Sequence, residues 1–223
     1  MKVYRLPQKI NALVFDMDLT LYNSPEYGRH QIDSIVEKLG SVRGLSFEEI
    51  NREIECVRKD WKLSHGGKHP SLSHVLGVYG ISMEENIRWR EELYKPEKYI
   101  KEDRRLREIL LKLTRSYIMG VVTNNTVSVA RRTLAILGVG ELLPVLVGLD
   151  TCMCAKPDIK PFIKFAELSG CSIETCVSIG DRYDIDLDLP LEIGMGAILV
   201  DGVQDVYELP GVLLAAGVNN YAI

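Results

Sequence analysis

The 223-residue sequence predicts an α/β protein: a parallel sheet with helices on both faces, interrupted after its first strand by an all-helical insert. Three observations predict it. Short continuous apolar runs recur along the chain, as in strands buried on both faces. Segments with helical apolar spacing alternate with them, the pattern of a parallel sheet. Between about residues 24 and 95 the apolar runs vanish and helical periodicity takes over.

In chain order, residues 12–15 (ALVF) read as a short buried strand. Four helices follow, over 25–39, 46–63, 70–79 and 82–94. Ser46 with Glu49 and Ser82 with Glu85 each have capping-box spacing, and Gly40 and Gly80 read as helix stops. After Pro96, Leu106, Ile109, Leu110 and Leu113 mark one face of an amphipathic helix. Residues 117–122 (YIMGVV) read as a strand, 126–137 as a helix stopped by Gly138, and 145–147 as a short strand. Asp158 caps a helix running to about Ser169, with Phe162, Ile163 and Ala166 on one face. A strand over 176–179, a short helix over 187–193 and a strand over 197–200 complete the reading.

Composition narrows the function. A charged fraction of 26% and a hydrophobic fraction of 46% are those of a globular protein. A net charge of -4 makes no broad case for nucleic acid or an anionic membrane. No apolar run approaches the roughly 18 residues needed to span a bilayer, and the opening MKVYRLPQKINALVF lacks the continuous apolar stretch of a secretion signal. The five cysteines are an odd number in a chain too long to need disulfide staples, which points to a reducing cytoplasm. Their spacing matches no strong zinc pattern, so they read as buried or incidental thiols.

Open parallel sheets bind ligands at the carboxyl ends of their strands. Asp16 and Asp18 follow the first strand. Thr123, Asn124 and Asn125 follow YIMGVV. Asp181, Arg182, Asp184 and Asp186 follow CVSIG, and Lys156 precedes a helix start in CAKPD. Each segment alone is ordinary turn or capping chemistry. Together they place several carboxylates at one edge, where mutual repulsion costs several kcal/mol per pair in a low dielectric or raises their pKa values. One lysine is too little compensation. A cluster of hard oxygen ligands favours a divalent cation, magnesium in particular.

These four segments, in this order, resemble the motifs of the haloacid dehalogenase superfamily of phosphohydrolases: VFDMDLTLY the first, VVTNN the second, Lys156 in AKPD the third, and IGDRYDID, with Asp181 and Asp186, the fourth. The resemblance implies a Rossmann-like core over residues 1–22 and 97–223 and a helical cap over 23–96. It implies that Asp16 attacks phosphorus to form an aspartyl-phosphate, and that Asp18 protonates the leaving oxygen and then activates water. Magnesium falls to Asp16, the backbone carbonyl of Asp18 and Asp181, with Asp186 supporting them. Thr123 and the amide of Asn124 hold phosphate oxygens, and Lys156 neutralises charge on nucleophile and phosphoryl group. Two positions depart: Leu19 stands where many members carry glycine, and Pro190 replaces a usual small helix former. The acid at position 18 argues against carbon–halogen cleavage, which needs no leaving-group proton.

The resemblance further implies a small phosphorylated metabolite as substrate, with the cap closing over it. All four histidines fall in the cap. Arg29 and His30 are positioned to face the cleft, and the HGGKHP turn offers His65 and Lys68 to a polar substrate. Trp61 and Trp89 read as packing residues, and Arg52, Arg58 and Lys59 as a solvated helix face. A phosphomutase of the same family is the enzymatic alternative. A phospho-accepting signalling receiver is much shorter and arranges its acids differently, and an inactive binding module would not keep every matched group.

Overall fold

The computed structural model describes residues 1–216. Six strands form one sheet: β1 (Lys2–Arg5), β2 (Ala12–Phe15), β3 (Ile118–Val122), β4 (Val145–Val147), β5 (Cys176–Gly180) and β6 (Gly196–Leu199), in the order β1-β6-β5-β2-β3-β4. Five are parallel; β1 runs antiparallel to β6 at the edge. Sequence reasoning missed β1 because all four of its residues are exposed, so no apolar signal marks it. Backbone pairing holds it there, and Arg5 adds hydrogen bonds from Nε to the Met195 carbonyl (2.9 Å) and from Nη2 to that of Leu191 (2.7 Å).

The chain builds β2, β3 and β4 outward in one direction, then crosses back to lay β5 against the other side of β2. The reversal falls between β2 and β5, and such a switch point opens a crevice at the carboxyl ends of the strands. Strand alternation sorts the core into two layers. Leu13 and Phe15 of β2 face a cluster with α5 (Arg104–Leu113), α6 (Val127–Leu137) and α10 (Val203–Ala215). Ala12 and Val14 face Phe162 and Phe165 of α8 (Lys160–Ser169). Burying each of those phenylalanines stabilises the core by about 1.5–3 kcal/mol.

Between β2 and β3 lie α1 (Pro25–Arg43), α2 (Phe47–Ser64), α3 (Leu72–Val78) and α4 (Met83–Leu93). They bury their own cluster, including Ile35, Leu39, Ile50, Ile54, Val75 and Trp89. Ser24, Ser46, Ser71 and Ser82 cap their starts, and Ser46–Glu49 closes a full capping box. Gly80 (φ +78°) follows α3 as expected, but Gly40 does not end α1. A Cβ at Gly40 would lie 3.0 Å from the Leu45 carbonyl oxygen and 3.1 Å from Ile50 Cγ2, so its smallness serves the close approach of α1 to α2. The helix stops at Gly44, whose φ of 69° suits glycine. The insert rests on the start of α6: Val129 joins its apolar cluster, and Ser128 Oγ donates to Glu91 Oε1 (2.6 Å).

No helix among the described residues is long and apolar enough to cross a membrane. The five cysteines are free thiols.

Candidate active site

Asp16 follows the last residue of β2, and its N–H donates to the Ile179 carbonyl (2.8 Å), continuing the ladder to β5. The chain then turns sharply. Leu19 adopts φ 59°, and the N–H groups of Thr20 and Leu21 return to the Met17 carbonyl. This is the position noted above as glycine in many members of the resembled family; leucine accepts the left-handed conformation at a steric cost of about 1–2 kcal/mol, and the turn survives. Asp18 leaves that turn with its carboxylate held by three donors. Gln31 Nε2 (3.0 Å) and the Tyr22 hydroxyl reach Oδ1, and Asn125 Nδ2 (2.7 Å) reaches Oδ2.

Lys156 is the centre of the cluster. It is 1% exposed, and its Nζ lies 2.6 Å from Asp16 Oδ1 and 2.6 Å from Asp186 Oδ1. Asn124 orients its backbone: Lys156 N donates to Asn124 Oδ1 (2.6 Å) and Asn124 Nδ2 donates to the Lys156 carbonyl (3.1 Å). Thr123 closes a local turn, its Oγ1 accepting from the N–H of Asn125 (3.1 Å).

The fourth acidic segment leaves β5 and winds into a π-turn over Tyr183–Leu187 before α9 (Asp188–Glu192). Pro190 is third in that short helix, where a missing N–H removes no helical bond. The wider turn, unforeseen in the sequence, brings Asp186 back over the strand it left. Its Oδ2 accepts from Arg182 N (3.1 Å), and its backbone carbonyl accepts from Ser178 Oγ (2.7 Å). Gly180 leaves room for this return: a Cβ there would lie 2.5 Å from that of Asp186.

One ligand oxygen each from Asp16, Asp181 and Asp186 lie within 4.8 Å of one another. Three carboxylates thus face the Lys156 ammonium, with the half-exposed Arg182 guanidinium 4.0 Å from Asp181 Oδ1. Burial pushes the Asp16 carboxyl up to about 7; Lys156 opposes the rise, and Asp186 and Asp181 add to it. Burial and Asp186 push Asp181 up to about 6. Burial pulls Lys156 down, but Asp16 and Asp186 outweigh it and its net shift is upward. Asp16 Oδ2 and Asp181 Oδ1 are buried without a hydrogen-bond partner. Orphaned, mutually repelling hard oxygens fit a divalent cation, which supplies both the missing charge and the missing contacts.

A cleft of about 490 Å³ opens over Asp18, Asn124, Asn125 and Asp181, with Arg29 in its wall. Its insert side also carries Arg58 and Arg90, which sequence reasoning did not place there. His30 does not line this cleft. Its ring stacks on Tyr99 (5.0 Å) and its Nε2 lies 3.1 Å from the Leu93 carbonyl. His65 stacks on Trp61 (3.4 Å), and Lys68 Nζ reaches from the helical insert to Asp188 Oδ2 (2.6 Å). Both line a separate, larger cavity of about 720 Å³ that includes none of the motif carboxylates Asp16, Asp18, Asp181 or Asp186. Gln31, Tyr22 and the Asn125 side chain were not assigned to Asp18 from the sequence; only their folded positions bring them to it.

A sequence profile described as haloacid dehalogenase-like hydrolase matches residues 13–200, a span that includes every one of these motif residues. The chain belongs to this family. A curated relative named glyceraldehyde 3-phosphate phosphatase, from Methanocaldococcus jannaschii, is 28% identical over 200 residues, covering 83% of this chain and 82% of the relative. A relative named pyrophosphatase PpaX, from Listeria welshimeri, is 23% identical over 175 residues, covering 78% and 76%. Among solved structures, a HAD phosphatase from Thermococcus onnurineus shares the fold with a TM-score of 0.60 at 19% identity, over 92% of this chain and 98% of that one. A 2-haloacid dehalogenase from Pseudomonas syringae shares it with a TM-score of 0.57 at 16% identity, over 93% and 99%. Family and relatives together make this haloacid dehalogenase-like protein a phosphohydrolase.

Proposed function

We propose that the protein is a magnesium-dependent hydrolase of small phosphate monoesters that works through an aspartyl-phosphate. The observation that carries this reading is Asp16: one oxygen is bound to Lys156 and the other is buried with no partner, beside an Asp18 held by three donors. A carboxylate needs one free oxygen to attack phosphorus, and a proton shuttle needs a fixed position beside it.

Asp16 Oδ2 attacks, and the bond to the leaving oxygen breaks as Asp18 gives that oxygen its proton. Asp18 then takes a proton from the water that opens the acyl phosphate. Lys156 offsets charge on the nucleophile and on the phosphoryl group. Thr123 and the backbone amide of Asn124 hold the phosphoryl oxygens. Asp16, Asp181 and the Asp18 carbonyl would hold Mg²⁺, with Asp186 behind them; when bound, the ion offsets negative charge between nucleophile and phosphate. The helical insert acts as the cap that excludes water.

The first test is release of inorganic phosphate from an aryl phosphate in Mg²⁺, with EDTA abolishing it. Unchanged turnover in EDTA refutes the metal requirement, and transfer to an acceptor without net release indicates a mutase. Asp18→Asn separates the two half-reactions. Without the shuttle, turnover of an alkyl phosphate falls by about 10²–10⁴-fold. An aryl phosphate, whose leaving group needs no proton, gives a burst of one phenolate per enzyme and then stalls. Steady aryl turnover at the wild-type rate would remove Asp18 from the deacylation step.

Metal also couples to stability. Burial raises the Asp16 pKa from its ordinary 3.8 to about 7 in the folded state, so the folded metal-free protein binds more protons between those values. Its stability falls as pH rises through that window, and the cost is complete above it. Mg²⁺ replaces the lost protons, so its thermal shift is expected to be larger at pH 8 than at pH 5. Equal shifts at the two pH values, measured by scanning fluorimetry, contradict the coupling.

A further inference from the structure

The two walls of the 490 Å³ cleft differ in charge. The core wall carries Asp18 and Asp181 with Arg182. The cap wall carries Arg29, Arg58 and Arg90 and no carboxylate. Arg58 is paired with Glu55 (2.7 Å), and Arg29 has no ion pair among the described residues.

Arg90 is the informative member. It is 5% exposed and forms no ion pair among the described residues. Its partners are all neutral: Nε donates to Asn86 Oδ1 (2.9 Å), Nη1 to the Tyr94 hydroxyl (3.2 Å) and Nη2 to Ser73 Oγ (3.4 Å). Asn86 Nδ2 in turn donates to Ser73 Oγ (2.9 Å), so the network is itself anchored. A guanidinium has five N–H donors, and these contacts use three. Burying a cation without a counter-charge costs several kcal/mol. The Tyr94 ring, 5.5 Å from Cζ, offsets part of that cost, and α4 still holds the cation, with donors to spare, in the wall of a substrate-sized cleft. In the reading above the transferred phosphoryl group falls to Lys156, buried beneath the core side of the cleft, and to the metal site, so this cation lacks an anion that a neutral leaving group would not supply.

We propose that Arg90, with Arg29 and Arg58, binds a second oxyanion on the leaving group, so that the substrates are phosphoryl derivatives of small anionic molecules. This rests on the phosphohydrolase reading and narrows its substrate class. Charge-assisted hydrogen bonds to a buried oxyanion are worth about 1.5–3 kcal/mol, or roughly 10–150-fold in kcat/KM.

The test uses matched probes with the full-length protein and Mg²⁺. Ethyl phosphate is compared with 2-phosphoglycolate, which adds a carboxylate, and methyl phosphate with pyrophosphate, which adds a second phosphoryl group. The expected result is a preference of about tenfold or more for the anionic member of at least one pair, and the pair showing it identifies the oxyanion. In Arg90→Met that preference collapses to within about twofold of parity; the ratio is independent of how much enzyme is folded. If Arg90→Met yields no folded protein, Asn86→Asp, which sets a carboxylate beside Nε, is read in the same way. Turnover of all four probes without preference overturns this inference alone, as does a preference that survives substitution. Absence of turnover on every probe overturns the phosphohydrolase reading with it.

Discussion

Asp16→Asn is expected to abolish phosphate release while leaving the chain folded. The amide is nearly isosteric, and its oxygen can still accept from Lys156, whose other contact to Asp186 at 2.6 Å is untouched. It cannot attack phosphorus. Removing a nucleophile that forms a covalent intermediate lowers kcat by at least about 10⁴-fold. Stability moves the other way. At pH 8 in EDTA the wild-type Asp16 carboxyl, pushed up to about 7 by burial and its acidic neighbours, is ionised at a cost to the folded state. The variant lacks that cost, so its Tm in EDTA at pH 8 is expected at or above the wild-type value. Turnover within tenfold of wild type would remove Asp16 as the nucleophile, and a large fall in Tm would mean that its charge is structural.

Lys156→Met is expected to have the largest effect on stability. The side chain is 1% exposed and separates Asp16 from Asp186, themselves buried. Methionine fills most of the volume and removes the charge, leaving two facing carboxylates in a low dielectric. Breaking a buried pair in this way costs about 3–5 kcal/mol. At a urea m value of about 2–3 kcal/mol/M, the midpoint falls by roughly 1–2 M. The loss is expected to be smaller at pH 5 than at pH 8, because Asp16 takes up a proton below about 7 and the repulsion fades. Mg²⁺ is expected to recover part of it at pH 8. A midpoint within 0.3 M of wild type at pH 8, taken as roughly the limit of urea-melt precision, would show that the ammonium is not what holds these acids together. Phosphate release is lost in this variant as well, through the charge that Lys156 no longer offsets.

These two residues show how far the sequence carries. Asp16 and Lys156 were legible because four segments, each ordinary alone, stand in one order at the ends of buried strands. Neither the ion-pair triad nor the orphaned oxygens were legible, since they depend on β5 crossing back beside β2 and on the π-turn that returns Asp186. The donors on Asp18 were hidden for a similar reason. Gln31 is one polar residue on an amphipathic helix, and Asn125 one residue of a polar turn. Nothing local distinguishes them from solvated side chains. Within the cap the same limit worked in both directions. His30 was placed at the cleft and instead packs on Tyr99, while Arg58 was placed on a solvated face and instead lines the cleft.

By itself the sequence determined the order of the five parallel strands and most of the helices between them, though not β1, the π-turn or α10, and it determined which chemical groups stand at the strand ends. Strand alternation, serine caps and glycine stops act over a few residues, and local sterics and hydrogen bonding suffice to specify them. Only the tertiary structure decided which groups meet and how their charges balance. Asp16, Lys156, Asp181 and Asp186 are separated by up to 170 positions, and their pKa values, free oxygens and shared ammonium arise from burial and Coulomb interaction across that gap. The same holds for the cap: Arg90 on one helix reads as a surface charge until packing buries it in the cleft wall with no ion pair among the described residues.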